Sequence, residues 1–142
     1  MNQRDTLKIN AAGHLEIGGA DATELAEKFG TPLYVMDEKY IRDMCSAYRR
    51  AIEEDYAGNG LVLYASKAFA CMAIYKIVAA EGIGVDVVSG GELYTALKAG
   101  FPAEKIYMHG NNKLPSELEM AVDSRVGCIV VDSLTEIDKL DS

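Results

Sequence analysis

The amino-acid sequence predicts an α/β fold, namely the N-terminal part (about half) of a parallel, TIM-like β/α barrel, preceded by a short β-hairpin. From Leu33 onwards, short apolar segments typical of strands alternate with helical patterns, and this alternation is typical of parallel sheets. The chain has 142 residues, whereas eight strand-helix units close a barrel of about 250 residues. The segment before Leu33 has a different, hairpin-like pattern.

The first thirty residues form the predicted hairpin and one helix. The segment "LKINAAGHLEIGG" has two short alternating strands around a turn near Gly13. In "ADATELAEKFGTP", Asp21 is the predicted N-cap of a helix that stops at Gly30. We therefore divide the chain into residues 1–30 and a partial barrel over residues 31–142.

The partial barrel alternates strands with helices along the chain. The predicted strands are 33–37, 61–66, 84–89, 105–110 and 127–132, and the predicted helices are 38–56, 69–81, 91–99, 116–122 and one starting at Thr135. Three Ser-x-x-Glu pairs fit capping boxes at helix starts: Ser89 with Glu92, Ser116 with Glu119, and Ser133 with Glu136. A five-stranded, flavodoxin-like sheet is the alternative for a complete domain. Because the chain stops within "TEIDKLDS", early in a helix, we expect a truncated barrel.

Composition favours a protein that acts on small molecules. The net charge is -8, and the 14 basic residues form no cluster, which argues against nucleic-acid or anionic-membrane partners. Apolar runs are shorter than the ~18 residues of a membrane span, and Met1 does not open a signal peptide, so we expect a cytoplasmic protein. The three cysteines lack CxxC spacing, and no metal site is expected.

The segment "LVLYASKAFA", residues 61–70, places a lysine at the end of an apolar strand. By the two-residue period of a strand, Leu63, Ala65 and Lys67 share one face. Lys67 would then lie at the carboxyl end of its strand, where barrel enzymes build their active sites, and a lysine there can act as a nucleophile. The pattern alone leaves open whether Lys67 does chemistry or simply extends into water.

The motif "YASKAF" resembles the lysine motif of fold-type III pyridoxal-phosphate enzymes, the alanine-racemase-like barrels. The segment "GVDVVSGGELYTALKAGFPAEKIYMHGNNK", Gly84 to Lys113, is similar to the diaminopimelate decarboxylases, as are "TPLYVMDE" and "LEIGG". Ser66 and Phe69 depart from the more common "YAVKAN", and "YASKAF" resembles a known variant of it. The resemblance extends over almost the whole chain, in order.

The resemblance implies roles for three residues. Lys67 matches the catalytic lysine, which bonds covalently to pyridoxal 5'-phosphate; Asp86 matches an acidic residue near that bond; and His109 matches a cofactor-site position at the end of the next strand. It further implies decarboxylation of meso-diaminopimelate to L-lysine by a homodimer. Residues 1–30 would then belong to a second, β-rich domain.

Other interpretations stay open at this point. A related fold-III decarboxylase or an amino-acid racemase would use the same barrel, although "HGNNK" and "SGGEL" argue against both. A barrel that binds pyridoxal phosphate without catalysis is a third possibility, against which the hairpin argues. Gly90 and Gly91, at a helix start, could also bind a phosphate. The family's phosphate loop and other cofactor contacts match no part of this chain, so we expect the 142 residues alone to be inactive.

Overall fold

The structure is a computed structural model and describes residues 6–141. The chain divides into two compact units, one up to Met44 and one from Cys45 onwards. A three-stranded antiparallel sheet belongs to the first unit and a four-stranded parallel sheet to the second. The predicted division at residue 30 concerned membership of a larger β-rich domain and stays a prediction.

The first unit contains the predicted hairpin and helix. Its elements are β1 (Leu7–Ile9), β2 (Leu15–Ile17), β3 (Ala20–Asp21) and α1 (Ala22–Phe29). The carboxylate of Asp21 caps α1 by accepting from the amide of Thr23 at 2.8 Å. The helix stops at Gly30, whose φ of 81° is a conformation that glycine adopts at little cost. The long helix α2 (Glu38–Asp55) follows and extends across the boundary between the units.

The second unit repeats a strand and a helix along the chain. Its strands are β4 (Leu63–Ala65), β5 (Gly84–Val87), β6 (Ile106–Met108) and β7 (Cys128–Ile129), and its helices are α3 (Met72–Ala80), α4 (Gly90–Lys98), α5 (Pro115–Asp123) and α6 (Leu134–Asp141). The strands are parallel and lie in sequence order, β4-β5-β6-β7. In a flavodoxin-like sheet the strand order is 2-1-3-4-5, so the second strand would not pair with the third. The described strands therefore agree with the predicted barrel and not with the alternative.

The core lies between this sheet and the helices that follow its strands. Val85, Val87, Ile106 and Met108 are fully buried on one face of the sheet, and α3 and α4 pack against β5. The opposite face of the sheet is less buried. Strand register aligns Ala65 of β4 with Asp86 of β5, and Asp86 with Tyr107 of β6. These residues are only partly buried, and this face leads to the candidate site.

The predicted strand over residues 33–37 is wrong, because this segment has no regular structure. The side chains of residues 33–36 are exposed, with Tyr34 at 97%, and Asp37 is partly buried. A strand forms only where a neighbour completes its hydrogen-bond ladder, and no strand pairs with this segment within residues 6–141. An alternating apolar pattern indicates a tendency to form a strand, but the strand forms only if a neighbouring strand can pair with it.

Two of the predicted capping boxes also need correction. Helix α5 starts at Pro115, so Ser116 lies inside it, and Glu117 rather than Glu119 accepts from the backbone, at the amide of Leu114 (2.8 Å). Proline is favoured at a first helical position because its missing N–H costs nothing there. At α6 the Ser133 hydroxyl lies 3.0 Å from the hydroxyl of Thr135 instead of capping the helix.

The third predicted box forms in part. The Ser89 hydroxyl accepts from the amide of Glu92 at 3.2 Å, as a cap should, while the Glu92 carboxylate accepts from the amide of Val88 at 2.8 Å instead of that of Ser89. In the part of the chain described here, no helix is both long and apolar enough to cross a bilayer.

Candidate active site at the carboxyl ends of the parallel strands

Lys67 lies just beyond the carboxyl end of β4, in a 3₁₀ turn formed by Ser66–Ala68. This turn corrects the expected geometry, because β4 ends at Ala65 and the two-residue period does not continue to Lys67. The side chain of Lys67 is exposed. No hydrogen bond or ion pair of its amine is found within the described residues, so the amine is available to a ligand.

Two contacts hold the turn that carries Lys67. The phenol of Tyr64 donates to the carbonyl of Phe69 at 3.0 Å and so closes the loop around Lys67. Burial raises the pKa of Tyr64, which keeps the phenol protonated as the donor. Behind the turn, Ser66 is 1% exposed and Tyr75 is fully buried. Burial raises the pKa of the Tyr75 phenol, and the Ser66 hydroxyl partly opposes that shift.

Asp86 and His109 come together beside this turn. Asp86 lies on β5, aligned with Ala65 at the end of β4. His109 directly follows β6, and its amide donates to the carbonyl of Val87 at 2.8 Å. The imidazole Nε2 is 3.8 Å from Oδ1 of Asp86. This separation exceeds hydrogen-bond length, and Oδ1 is a buried oxygen without a hydrogen-bond partner among the described residues.

The start of α4, considered above as a phosphate site, is occupied by a carboxylate. Oε1 of Glu117 accepts from the amide of Gly90 at 2.6 Å, and Oε2 of the same side chain accepts from Leu114. A Cβ on Gly90 would lie 3.1 Å from Cγ of Glu117, so the two segments are in close contact. A negative charge at a helix N-terminus is favourable, and here the protein supplies it. The Gly90 amide therefore supports no phosphate site.

Sequence reasoning missed a buried ion pair next to the site. The ammonium of Lys113 lies 2.9 Å from Oε1 of Glu136, and the two side chains are 1% and 9% exposed. Burial raises the pKa of Glu136, but the amide of Asp132 and the ammonium of Lys113 outweigh it and hold the pKa below its usual range. Both residues belong to sequence patterns: Lys113 ends the "HGNNK" motif, and Glu136 is part of a predicted capping box. A motif does not reveal which distant residue it contacts.

The fold and this edge define a class of protein. A lysine, an aspartate and a histidine lie close to the carboxyl ends of three consecutive parallel strands, and this arrangement is typical of barrel enzymes that act on small molecules at their strand ends. Residues 38–142 match the model of the family "pyridoxal-dependent decarboxylase, pyridoxal binding domain". The chain therefore belongs to this family, and the resemblance seen in "YASKAF" and "HGNNK" is confirmed.

Individual relatives are more specific. The chain is 53% identical to a diaminopimelate decarboxylase of Bacillus methanolicus over 137 residues, which are 96% of this chain and 32% of that protein. It is also 53% identical to the diaminopimelate decarboxylase of Bacillus subtilis, with 96% and 31% covered. A solved diaminopimelate decarboxylase of M. jannaschii in complex with L-lysine has a TM-score of 0.87 at 41% identity.

That structural match covers 99% of this chain and 33% of the M. jannaschii chain. The chain thus spans about a third of the length of the relatives it matches. The fold of these solved relatives confirms the predicted fold class, an N-terminal part of a barrel joined to an antiparallel hairpin.

The residues at this edge fit a pyridoxal cofactor. The Lys67 amine is exposed and has no hydrogen-bond or ion-pair partner within residues 6–141, so it can bond to an aldehyde. The buried Oδ1 of Asp86 lacks a hydrogen-bond partner within the described residues, and a buried carboxylate oxygen is stabilised by a donor or a cation. Lys67 and Asp86 therefore offer the two kinds of group that such a cofactor needs. No group of three metal-ligating side chains occurs in residues 6–141.

Proposed function

We propose that Lys67 bonds covalently to pyridoxal 5'-phosphate, and that the natural protein containing this chain decarboxylates meso-diaminopimelate to L-lysine. The observation that carries the proposal is the position of Lys67, exposed on the turn that ends β4, beside Asp86 on the next strand. The substrate is supported by relatives named diaminopimelate decarboxylase, at 53% identity.

Each of the three residues has a distinct role in this proposal. Lys67 supplies the amine that holds the cofactor and that an amino-acid substrate displaces. Asp86 places a negative charge at the same edge, where it would favour a positive charge on the nitrogen that links the lysine to the bound cofactor. His109, whose imidazole is 43% exposed, contributes to the same site from the third strand end. When bound, the cofactor supplies an electron sink for the charge left by departing carbon dioxide.

The proposal includes an assembly and a compartment. We infer a homodimer and a cytoplasmic location for the natural protein, the first implied by the family resemblance and the second by the biosynthetic enzymes that its relatives are named as. Size-exclusion chromatography with light scattering would test the dimer. A monomer that is fully active would contradict it.

A substrate panel on the natural full-length protein tests the activity. We expect release of carbon dioxide and formation of L-lysine from meso-diaminopimelate, with much slower turnover of lysine, ornithine and arginine. A structure of a lysine/ornithine decarboxylase of Vibrio vulnificus is also similar, at 26% identity and a TM-score of 0.73, so ornithine is the informative competitor. Preference for ornithine, racemisation without decarboxylation, or cofactor binding without turnover would each overturn the proposal.

A further inference from the structure

The ion pair between Lys113 and Glu136 joins three segments at the carboxyl end of the sheet. Besides Glu136, the Lys113 ammonium donates to the carbonyl of Gly110 at 2.5 Å and to that of Val130 at 2.9 Å. A lysine has three N–H donors, and all three are used. The other oxygen of Glu136 accepts from the amide of Asp132 at 2.8 Å.

Burial of such an ion pair has an unfavourable desolvation free energy. Taking two charges out of water costs several kcal/mol, and apolar residues of similar volume often serve stability equally well. Two of the three bonds of Lys113 are to carbonyls in the loops that follow β6 and β7, and the third is to Glu136 on α6. Their position points to a role in fixing those loops.

The loop after β6 carries His109. The amide of His109 is fixed by the carbonyl of Val87, and the next residue, Gly110, accepts from Lys113. Gly110 has φ of 117°, which non-glycine residues rarely adopt. The chain therefore turns sharply directly after His109, and the ammonium of Lys113 holds that turn from the inside.

We propose that Lys113, fixed by Glu136, is a positioning residue that holds the loop 109–114 so that the imidazole of His109 faces Asp86. This inference rests on the proposed function, because it assigns the pair a task in the same cofactor site. Lys113 itself does not contact the reacting groups in this proposal. It acts through the backbone of Gly110 and the direction of His109.

The test uses the natural full-length protein with Lys113→Met, and with the double variant Lys113→Met/Glu136→Leu, which removes both charges. The double variant leaves no unpaired buried charge and is expected to keep the melting temperature close to that of the parent. We expect both variants to lower kcat by roughly tenfold to a hundredfold, since a misplaced site group has an effect of this size. The KM should change much less than kcat.

A readout without bound cofactor separates positioning from chemistry. In the cofactor-free protein, amide hydrogen exchange in residues 109–114 should be faster in the double variant than in the parent. Exchange in β5 should stay the same. Lys105→Met is the matched control, because Lys105 also donates to a carbonyl, that of Gly82 at 3.0 Å, but lies at the amino end of β6. It should leave both exchange in the loop and kcat unchanged.

A double-mutant cycle decides whether Lys113 acts through His109. In a His109→Ala background, replacing Lys113 should lower kcat by less than about twofold, because the side chain that it positions is gone. Equal effects in both backgrounds would overturn the inference, as would normal loop exchange and kcat in the double variant. If the parent itself does not decarboxylate, the proposed function fails; if the parent is active and the cycle is additive, only this inference fails.

Discussion

The imidazole of His109 and the carboxylate of Asp86 face each other at 3.8 Å across two neighbouring strands. The ladder sets this relationship. Val87 pairs with Met108, so Asp86 lies just before that pair and His109 just after it. The bond from the His109 amide to the Val87 carbonyl extends the ladder one step beyond β6. The sheet backbone therefore brings the two residues to adjacent strand ends, and the loop that follows His109 then decides the direction of its imidazole.

The first prediction concerns Lys67. Lys67→Ala in the natural full-length protein should abolish the visible absorbance of the lysine-bound cofactor and reduce activity by several orders of magnitude, because the covalent attachment is lost. The melting temperature without cofactor should not fall, since the Lys67 amine makes no hydrogen bond or ion pair within residues 6–141. Lys76→Ala, on the exposed face of α3, is the control. Retention of the absorbance band in Lys67→Ala would disprove the assignment.

A second prediction concerns the charge of Asp86. Asp86→Asn keeps the size of the side chain but removes its negative charge, so a positive charge on the nitrogen that links the lysine to the cofactor would lose a favourable partner. We expect cofactor affinity to fall by about tenfold, as for other groups that support a bound centre. Spectrophotometric titration of the cofactor-free protein with pyridoxal 5'-phosphate measures it. An affinity equal to that of the parent would remove Asp86 from the site.

Most of the helices and strands, and the positions of the three candidate site residues, could be predicted from the sequence because local patterns determine them. The apolar runs around Tyr64 and Val85, and the caps at Asp21 and Ser89, are decided within a few residues. The strand ends, and with them Lys67, Asp86 and His109, follow from the alternation of strands and helices. The resemblance to a known family then assigned their chemistry.

The features that the sequence did not reveal depend on distant contacts. The partner of Lys113, which lies in the loop before α5, is Glu136 on α6, and no spacing rule connects the two. The carboxylate of Glu117 reaches back to Gly90 on the preceding helix, a contact that no local spacing indicates. The strand predicted at residues 33–37 does not form for the same reason, because strand formation depends on a neighbouring strand that can be distant in sequence.

A third prediction tests a close approach in the second unit. A Cβ on Gly127 would lie 2.1 Å from the carbonyl oxygen of Glu104, a distance at which the backbone must move. Gly127→Ala should therefore destabilise the protein by roughly 2–4 kcal/mol, in the range of other overpacked or strained sites. Chemical denaturation gives the value.

The control for this substitution is Gly91→Ala. A Cβ there would have only the Ser89 hydroxyl near it, at 3.9 Å, and Gly91 lies within α4. Replacing a helical glycine by alanine should stabilise by about 0.5–1 kcal/mol. Equal effects at the two positions would mean that the contact with Glu104 has no energetic consequence.

The last prediction concerns acid and the first unit. Partial burial raises the pKa of Asp21, but hydrogen bonds from His14, Asn10 and two helix amides outweigh it and hold the pKa well below its usual 3.8. The folded state therefore binds this proton more weakly than the unfolded state, so the stabilisation is complete above about pH 4 and is lost as the pH falls. Asp21→Asn should lower the melting temperature at neutral pH and flatten its decline below pH 4, because the capping charge is absent throughout. Melting curves of both proteins between about pH 2 and pH 7, followed by circular dichroism, measure this difference. If the two proteins lose stability in parallel as acid is added, Asp21 is not the group that titrates.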